Sequence, residues 1–396
     1  MVGYMRIAII TENFLPKLDG VTRTLARLLE HLQTTGHQAL LLGPDAGMER
    51  YAGAEVIGTK GIPFFFYPEL KFNFFRPLFF RRLREFRPDI IHVVDPVVLG
   101  ATGLATARLM NVPIVSSYHT NLASYCAHFG FALFTRPMWS YNRLIHNQCA
   151  LTFCPSPSTA TLLRAQGFER LRIWPRGVDS TLFHPGRRSL ALRAQWLGTR
   201  TGLEDREQPV ILLYVGRISW EKNLRLLIEA YQQMDHQRCH LVMVGDGPAF
   251  AEVQSQLQGF PVTFTGYLAG QDLAVAYASS DIFAFPSYTE TFGQAVLEAM
   301  SSGLPVVGLK AEGICDLVRH EQSGLLLNIQ VHAGEEQVGM YRTYLTRLVD
   351  NQQQRAHFSQ WALIEAARRT WYEAMECLVD GYREVIEKRT QDLVAA

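Results

Sequence analysis

Two glutamates, Glu290 and Glu298, stand with seven residues between them in FPSYTETFGQAVLEAMSSGLPVV, Phe285 to Val307. The second sits inside an apolar run, where a merely solvated carboxylate is out of place. If a helix begins near Phe292, the two carboxylates lie about 12 Å apart at about 1.5 Å per residue. That is close to the reach from hexose to ribose in an extended sugar nucleotide. Carboxylates at both ends could accept hydroxyl hydrogen bonds, and exposed amides at Phe292 and Gly293 could hold phosphate oxygens between them. The plainer reading makes Glu290 a favourable charge at a helix start and nothing more.

Further cations fit the same chemistry. In YVGRISWEKNLRLLIEA, Arg217 and Lys222 lie between a strand and an apolar-periodic helix that starts near Leu224. Arg by its fork and Lys as a point charge can meet a diphosphate there, although two solvated loop cations would read alike. VGDGP, Val244 to Pro248, is a strand ending in a glycine turn, either a plain turn or a loop lying beside a base. His119 in SSYHTN falls just past another strand. In TENFLPKLDGVTRTL, Gly20 precedes a helix, where it serves the turn or lets an anionic ligand approach the backbone. No G-x-G-x-x-G occurs, which lowers a dehydrogenase reading. No D-x-D occurs either, so the sequence predicts no metal site, with phosphate charge met by Arg217, Lys222 and helix dipoles.

Elements that would position these residues alternate strand and helix. RIAII, QALLLGP, IIHVV, PIVSSYHT and LTFCPS are apolar runs separated by helical patterns such as Val21, Leu25, Leu28, Leu29 and Leu32. The rhythm breaks in the charged stretch between His184 and Gln208, then restarts with PVILLYVGR, HLVMVGDGP, VTFTGYL, DIFAFPS and LPVVGLK. The fold class is therefore α/β: two Rossmann-like, doubly wound domains, 1–185 and 205–370, facing across a cleft at the carboxyl ends of their strands. A helix at about 371–390 follows the last strand. With 396 residues, two domains suit the length.

Bulk composition is that of an ordinary soluble protein, with 19% charged residues and a net charge of +1, so nothing points to nucleic acid. The six cysteines form no C-x-x-C pair, which predicts a reduced, cytoplasmic setting. The opening MRIAIITENF reads as a strand, not a signal peptide, and no apolar run reaches membrane-spanning length.

Taken together, IAIITENFLPKLDGVTRT, VGRISWEKN, ETFGQAVLEAMSSGLPVV and SSGLPVVGLKAEGICDLV resemble glycosyltransferase family 4, retaining enzymes of the GT-B arrangement. SSYHTN, RPMWSYNRLIH, RIWPRGVDSTLFHP and AYASSDIFAFPSYTETFGQAVLEAMSSGLPVV are similar to its lipid-modifying members, the sulfoquinovosyldiacylglycerol synthases and lipid mannosyltransferases. The resemblance implies transfer of a hexose from a UDP- or GDP-linked sugar, with no cofactor, to a lipid or amphipathic hydroxyl compound. A sugar-nucleotide epimerase or hydrolase on the same scaffold is the alternative. It implies that Arg217 and Lys222 hold the diphosphate, Glu290 the donor sugar and Glu298 the ribose diol. His119 would line the sugar's side of the cleft, and Gly20 would let its loop approach the diphosphate. Asp246, Gly247 and Tyr267 would hold the base, and Phe292 and Gly293 the phosphates. Asp19, where many members have glycine, would meet the acceptor, and the helix at 371–390 would pack back on the first domain.

One stretch speaks to the acceptor. From Phe64 to Arg84 the chain carries Lys71, Arg76, Arg81, Arg82 and Arg84 against Glu69 alone. Phe79, Leu83 and Phe86 recur at helical spacing and can simply pack on the sheet. Phe72, Phe74 and Phe75 are left over, in a loop that the resemblance places beside the acceptor. Aromatic and basic residues interleaved in this way predict peripheral contact with an anionic membrane surface.

Overall fold

The apolar runs form strands buried on both faces, with Ile90–Val94 buried along its whole length and Cys239–Val244 likewise. Strands of this kind pair in parallel beneath helices. The computed structural model describes residues 3–16, 20–64, 67–72, 76–121, 123, 132–198 and 208–395, with the side chains of 62–75, 132, 393 and 395 excepted. The chain divides into two units, Met1–Arg176 with Trp371–Ala396, and Gly177–Thr370.

In the first unit the strands are β1 (Arg6–Thr11), β2 (Gln38–Pro44), β3 (Arg50–Tyr51), β4 (Ala54–Thr59), β5 (Ile62–Phe64), β6 (Tyr67–Phe72), β7 (Ile90–Val94), β8 (Ile114–Ser117), β9 (Leu151–Cys154) and β10 (Leu171–Ile173). Eight form one sheet in the order β10-β9-β8-β7-β1-β2-β4-β3, and β5 and β6 form a separate antiparallel ribbon. Only the short edge strand β3 runs antiparallel to its neighbour within the large sheet. The order reverses at β1, so its carboxyl end and that of β7 are where a doubly wound sheet opens to ligands. Helix Gly20–Thr34 buries Leu25, Leu28, Leu29 and Leu32 on the sheet, the spacing of a single helical face. The C-terminal helix Trp371–Ala395 buries Met375, Leu378, Val379 and Tyr382 in the same core as Phe153 and Trp174. At Gly381 any side chain would collide with the Phe153 ring, 2.5 Å from the position of an added Cβ.

The second unit holds β11 (Val210–Val215), β12 (Cys239–Val244), β13 (Val262–Gly266), β14 (Ile282–Phe285), β15 (Val306–Leu309) and β16 (Gly324–Leu327). All are parallel, in the order β13-β12-β11-β14-β15-β16. Numbered within the unit that is 3-2-1-4-5-6, the dinucleotide-fold order, with its switch point between β11 and β14.

The boundary lies earlier than residue 185, and the stretch from His184 to Gln208 is not a simple linker. Val178 bridges to Thr370, and Phe183 belongs to the second core. Helix Leu190–Leu197, capped by Ser189 Oγ accepting from Leu192 N at 3.1 Å, buries Trp196 and Leu197 in that core. Its charges are structural: Arg188 and the buried Arg193 both reach Asp281, at 2.8 and 2.9 Å. Residues 199–207 lie outside the described residues.

Candidate active site

At the switch point of the second unit, three strand ends are tied together by glycines. Gly216 N donates to Val244 O at 3.0 Å, Ile218 N to Asp246 O at 2.9 Å, and Gly245 N to Gly266 O at 2.8 Å. Gly245 has φ +135°, and a Cβ there would stand 2.0 Å from Gly216 O. Glycine is therefore required, and the loops after β11 and β12 close to backbone contact. Arg217 is exposed on the first of these loops, with its carbonyl accepting from the buried Tyr214 hydroxyl at 2.9 Å. Burial pushes the Tyr214 pKa well up, and the charges of Glu290 and Glu221 add to the shift. Asp246 is exposed, its Oδ1 accepting from Gly247 N at 2.7 Å, and Tyr267 is exposed beyond β13.

Lys222 ends the turn Trp220–Lys222, after which Asn223 takes a left-handed φ of 56° and opens helix Leu224–Gln232. Its Nζ donates to Glu290 Oε1 at 2.6 Å, and Ser287 Oγ donates to the same oxygen at 3.0 Å. The two charged side chains are 17% and 19% exposed. Lys222 and Glu290 are thus brought together as an ion pair on the loops after β11 and β14.

Helical rise does not run through the whole span between Glu290 and Glu298. Helix Gln294–Ser301 starts after Gly293, which has φ 90°, because Phe292 turns its ring into the core and is only 8% exposed. Half the span between the glutamates is therefore loop. Glu298 is 6% exposed on that helix, so it is not a solvated charge. Tyr277 Oη donates to its Oε2 at 3.3 Å and Gln294 Nε2 to its Oε1 at 3.5 Å.

In the first unit, the loops at the switch point carry residues that the sequence did not single out. Glu12, one residue past β1, accepts at Oε1 from the amides of Val97, Val98, Leu99 and Gly100, at 3.3, 2.8, 2.7 and 3.2 Å. It thereby occupies the N-terminus of helix Leu99–Leu109 as an anion would. Burial pushes the Glu12 pKa up while these four amides pull it down, burial being the larger influence. Asp95, just past β7, accepts from His119 N at 2.6 Å and from Thr120 Oγ1 at 2.7 Å.

His119 itself is buried, with both ring nitrogens engaged by protein groups. Arg176 cannot accept, so its Nη2 donates to His119 Nδ1. The His119 proton then sits on Nε2 and is donated to Ser117 Oγ at 2.7 Å. Ser117 passes its own proton to His92 Nε2 at 2.8 Å, and His92 Nδ1–H donates to Tyr382 Oη on the C-terminal helix at 2.6 Å. One arginine thus fixes the direction of a four-bond chain. Burial and the nearby Arg176 charge push His92 down to about 3 and His119 well below its usual value. Burial also lowers Arg176 itself to about 9, against the raising influence of Asp95.

Gly20 is the exposed first residue of its helix, and an added Cβ would have no neighbour within 4 Å. Asp19, Phe74 and Phe75 lie outside the described residues, as does the side chain of Phe72 at the end of β6. Phe79 and Leu83 are fully buried in the first unit. The basic face beside them is less bare than the count from Phe64 to Arg84 implied. Arg82 pairs with Glu55 and Glu85, and Arg81 reaches Glu85 at 3.4 Å. Among the described residues, no helix is long and apolar enough to cross a membrane, and no group of three His, Cys, Asp or Glu could hold a metal ion.

Two parallel-sheet α/β units, each with polar side chains gathered at its switch point, have the GT-B fold. Residues 18–182 match the pattern of Glycosyltransferase Family 4, and residues 209–339 match that of Glycosyl transferases group 1. The chain belongs to glycosyltransferase family 4. It is 34% identical to the GDP-mannose-dependent alpha-mannosyltransferase of Mycolicibacterium smegmatis over 98% of this chain and 99% of that one. The enzyme of the same name from Corynebacterium glutamicum is 37% identical over 82% of this chain and 77% of its own length. The sulfoquinovosyl transferase SQD2 of Arabidopsis thaliana is 36% identical over 81% and 62%. Among solved structures, Anabaena HepE in complex with UDP superposes with a TM-score of 0.74 at 19% identity, over 96% of this chain and all of that one.

Proposed function

We propose that this chain is a retaining hexosyltransferase that moves a hexose from a nucleoside-diphosphate sugar to a lipid or amphipathic hydroxyl acceptor. The observation that carries the reading is the Lys222–Glu290 pair, set on the loops after β11 and β14 of a sheet in dinucleotide-fold order. In this reading the diphosphate meets Lys222 and the exposed Arg217, while Glu290 turns its second oxygen to the sugar hydroxyls. Glu298, held inside its helix by Tyr277 and Gln294, takes the ribose diol. Two relatives are named alpha-mannosyltransferases that use GDP-mannose. GDP-mannose itself carries its sugar in α linkage, so an α product keeps the configuration.

The acceptor oxygen bonds to C1 on the face from which the phosphate oxygen departs, and the acceptor's proton passes to that phosphate. Protein groups contribute position and charge rather than a covalent bond. Arg217 and Lys222 supply the positive charge that a divalent metal supplies elsewhere, and transfer should persist in EDTA.

Thermal shift with GDP, UDP and ADP, followed by transfer assays with GDP-mannose and a UDP-hexose, tests the reading. A nucleotide at a hundred times its Kd stabilises by about 2.7 kcal/mol. Absence of a shift with every nucleotide would rule the reading out. Loss of all transfer in EDTA, restored by magnesium or manganese, would overturn the metal-free part.

A further inference from the structure

The second unit carries a cavity that the proposed transfer does not use. It opens past the carboxyl ends of β15 and β16, where Lys310 and Asn328 are the first residues after the strands. Its volume is about 450 Å³, within the roughly 300–1,000 Å³ of small-molecule sites. Lys310, Arg319, His320 and His332 line it together with the polar groups of Asn328 and Tyr344, and no Asp or Glu does.

The acids beside it offset part of the charge on Arg319 and the histidines, Glu321 lying 4.0 Å from His320, and leave Lys310 outside these pairs. Buried Glu365 is shared by three guanidiniums, at 3.1 Å from Arg319, 3.2 Å from Arg368 and 3.5 Å from Arg369. Glu321 is taken up by both terminal nitrogens of Arg347, each at 2.6 Å, and Glu336 pairs with His332 at 2.7 Å. Lys310 is exposed at the rim. Two fixed cations, Lys310 and Arg319, in a concave, partly enclosed site focus an attraction for anions. A guanidinium fork and an ammonium across one opening suit phosphate oxygens in particular.

None of Arg217, Lys222, Glu290 and Glu298 lines the cavity, although the two adjoin. Gly313, in the same segment as Lys310 and Cys315, is pressed against that site's backbone, its Cβ position 2.8 Å from Glu290 O and 2.7 Å from Phe292 N. It does not line the cavity.

We propose that this cavity binds a small phosphorylated anion, with Lys310 and Arg319 on the phosphate and Asn328 and Tyr344 available to sugar hydroxyls. Titration calorimetry of the full chain with inorganic phosphate and with mannose 6-phosphate tests it, on wild type, Lys310→Ala, Arg319→Gln and Lys222→Ala. The expected result is saturable binding of at least one probe, weakened at least fivefold by Lys310→Ala and by Arg319→Gln and unchanged by Lys222→Ala. Tighter binding of mannose 6-phosphate than of phosphate assigns the site to a sugar phosphate, and equal or weaker binding assigns it to the free anion. Lys310→Ala alters an exposed side chain and keeps the fold even if Arg319→Gln does not. No saturable binding, binding untouched by Lys310→Ala, or binding lost in Lys222→Ala overturns the proposal. Nucleotide binding is read separately, so a failed transfer reading and a failed anion site give different results.

Discussion

At the scale of single residues, the proposed chemistry rests on a half-buried ion pair whose members are 68 residues apart. A pair at 2.6 Å with both side chains below 20% exposure is poorly screened, so removing either partner leaves the other charge uncompensated. Glu290→Ala should abolish transfer while keeping the fold, because its carboxylate bonds to Lys222 and Ser287 and packs on no apolar core cluster. Lys222→Ala should cost at least about 2–4 kcal/mol of transition-state stabilisation. Measurement of kcat/KM beside melting temperature checks both. Near wild-type turnover in Glu290→Ala would remove the sugar-binding role. The double variant should lose less than the sum of the singles, since the two groups act as one unit. Both residues were legible in the sequence because each lies in a short motif just past an apolar strand. Glu12, Asp95 and Arg176 were not. Glu12 bonds to amides 85 to 88 residues away, and Arg176 reaches a ring nitrogen 57 residues away, so no local pattern announces them.

At the scale of elements, the strands and their order of appearance could be read from apolar runs, and the misreadings came from packing. The helix after β14 starts two residues later than its sequence indicates because Phe292 is drawn into the core. The glycine contact between the loops after β11 and β12 gives a test. Gly245→Ala should cost about 1–3 kcal/mol for its backbone conformation, and more for the clash with Gly216 O. It should also weaken nucleotide binding. Gly259→Ala has a left-handed φ of 87° with no atom within 4 Å of its Cβ, and should cost only the backbone part. Urea unfolding of the two variants separates strain from clash, and equal losses would show that the loops yield. The buried histidines add a pH dependence to the first unit. Burial lowers His92 and His146 to about 3 and His119 well below its usual value, whereas an unfolded histidine titrates near 6.5. The unfolded chain therefore takes up protons that the native state refuses. Stability should be complete above about pH 6.5 and decline as the pH falls toward 3, by about 1.4 kcal/mol per pH unit for each histidine. Denaturant midpoints at pH 7.5 and pH 5 measure this, and His146→Gln should flatten the slope. Equal midpoints would mean that the native histidines titrate normally.

At the scale of the whole molecule, two units of similar size follow from the restart of the strand–helix rhythm. Their boundary does not, because the bridge from Val178 to Thr370 joins residues far apart in sequence. The basic face of helix Pro77–Phe86 shows a similar limit. Counted to Arg84 it carries a clear surplus of positive charge, but the acids that offset it are Glu85, one residue later, and Glu55, on β4. What remains outward is Arg84, stacked at 5.8 Å over Phe80, together with Arg81, 70% exposed, and Leu78, 43% exposed. An interface-lying helix needs an apolar face available to lipid, and Phe79 and Leu83 are committed to the core. The proposed membrane contact would therefore depend mainly on charge, which salt screens over about 10 Å at 0.1 M. Flotation with phosphatidylglycerol vesicles should accordingly be reversible, present at low ionic strength and largely lost at about 0.5 M salt. Arg81→Ser with Arg84→Ser should reduce flotation without lowering stability, since neither side chain is buried. Transfer to a lipid acceptor in those vesicles should fall in parallel, while nucleotide binding stays unchanged. No flotation at low salt, combined with efficient transfer to a small water-soluble acceptor, would sink both the membrane contact and the amphipathic acceptor.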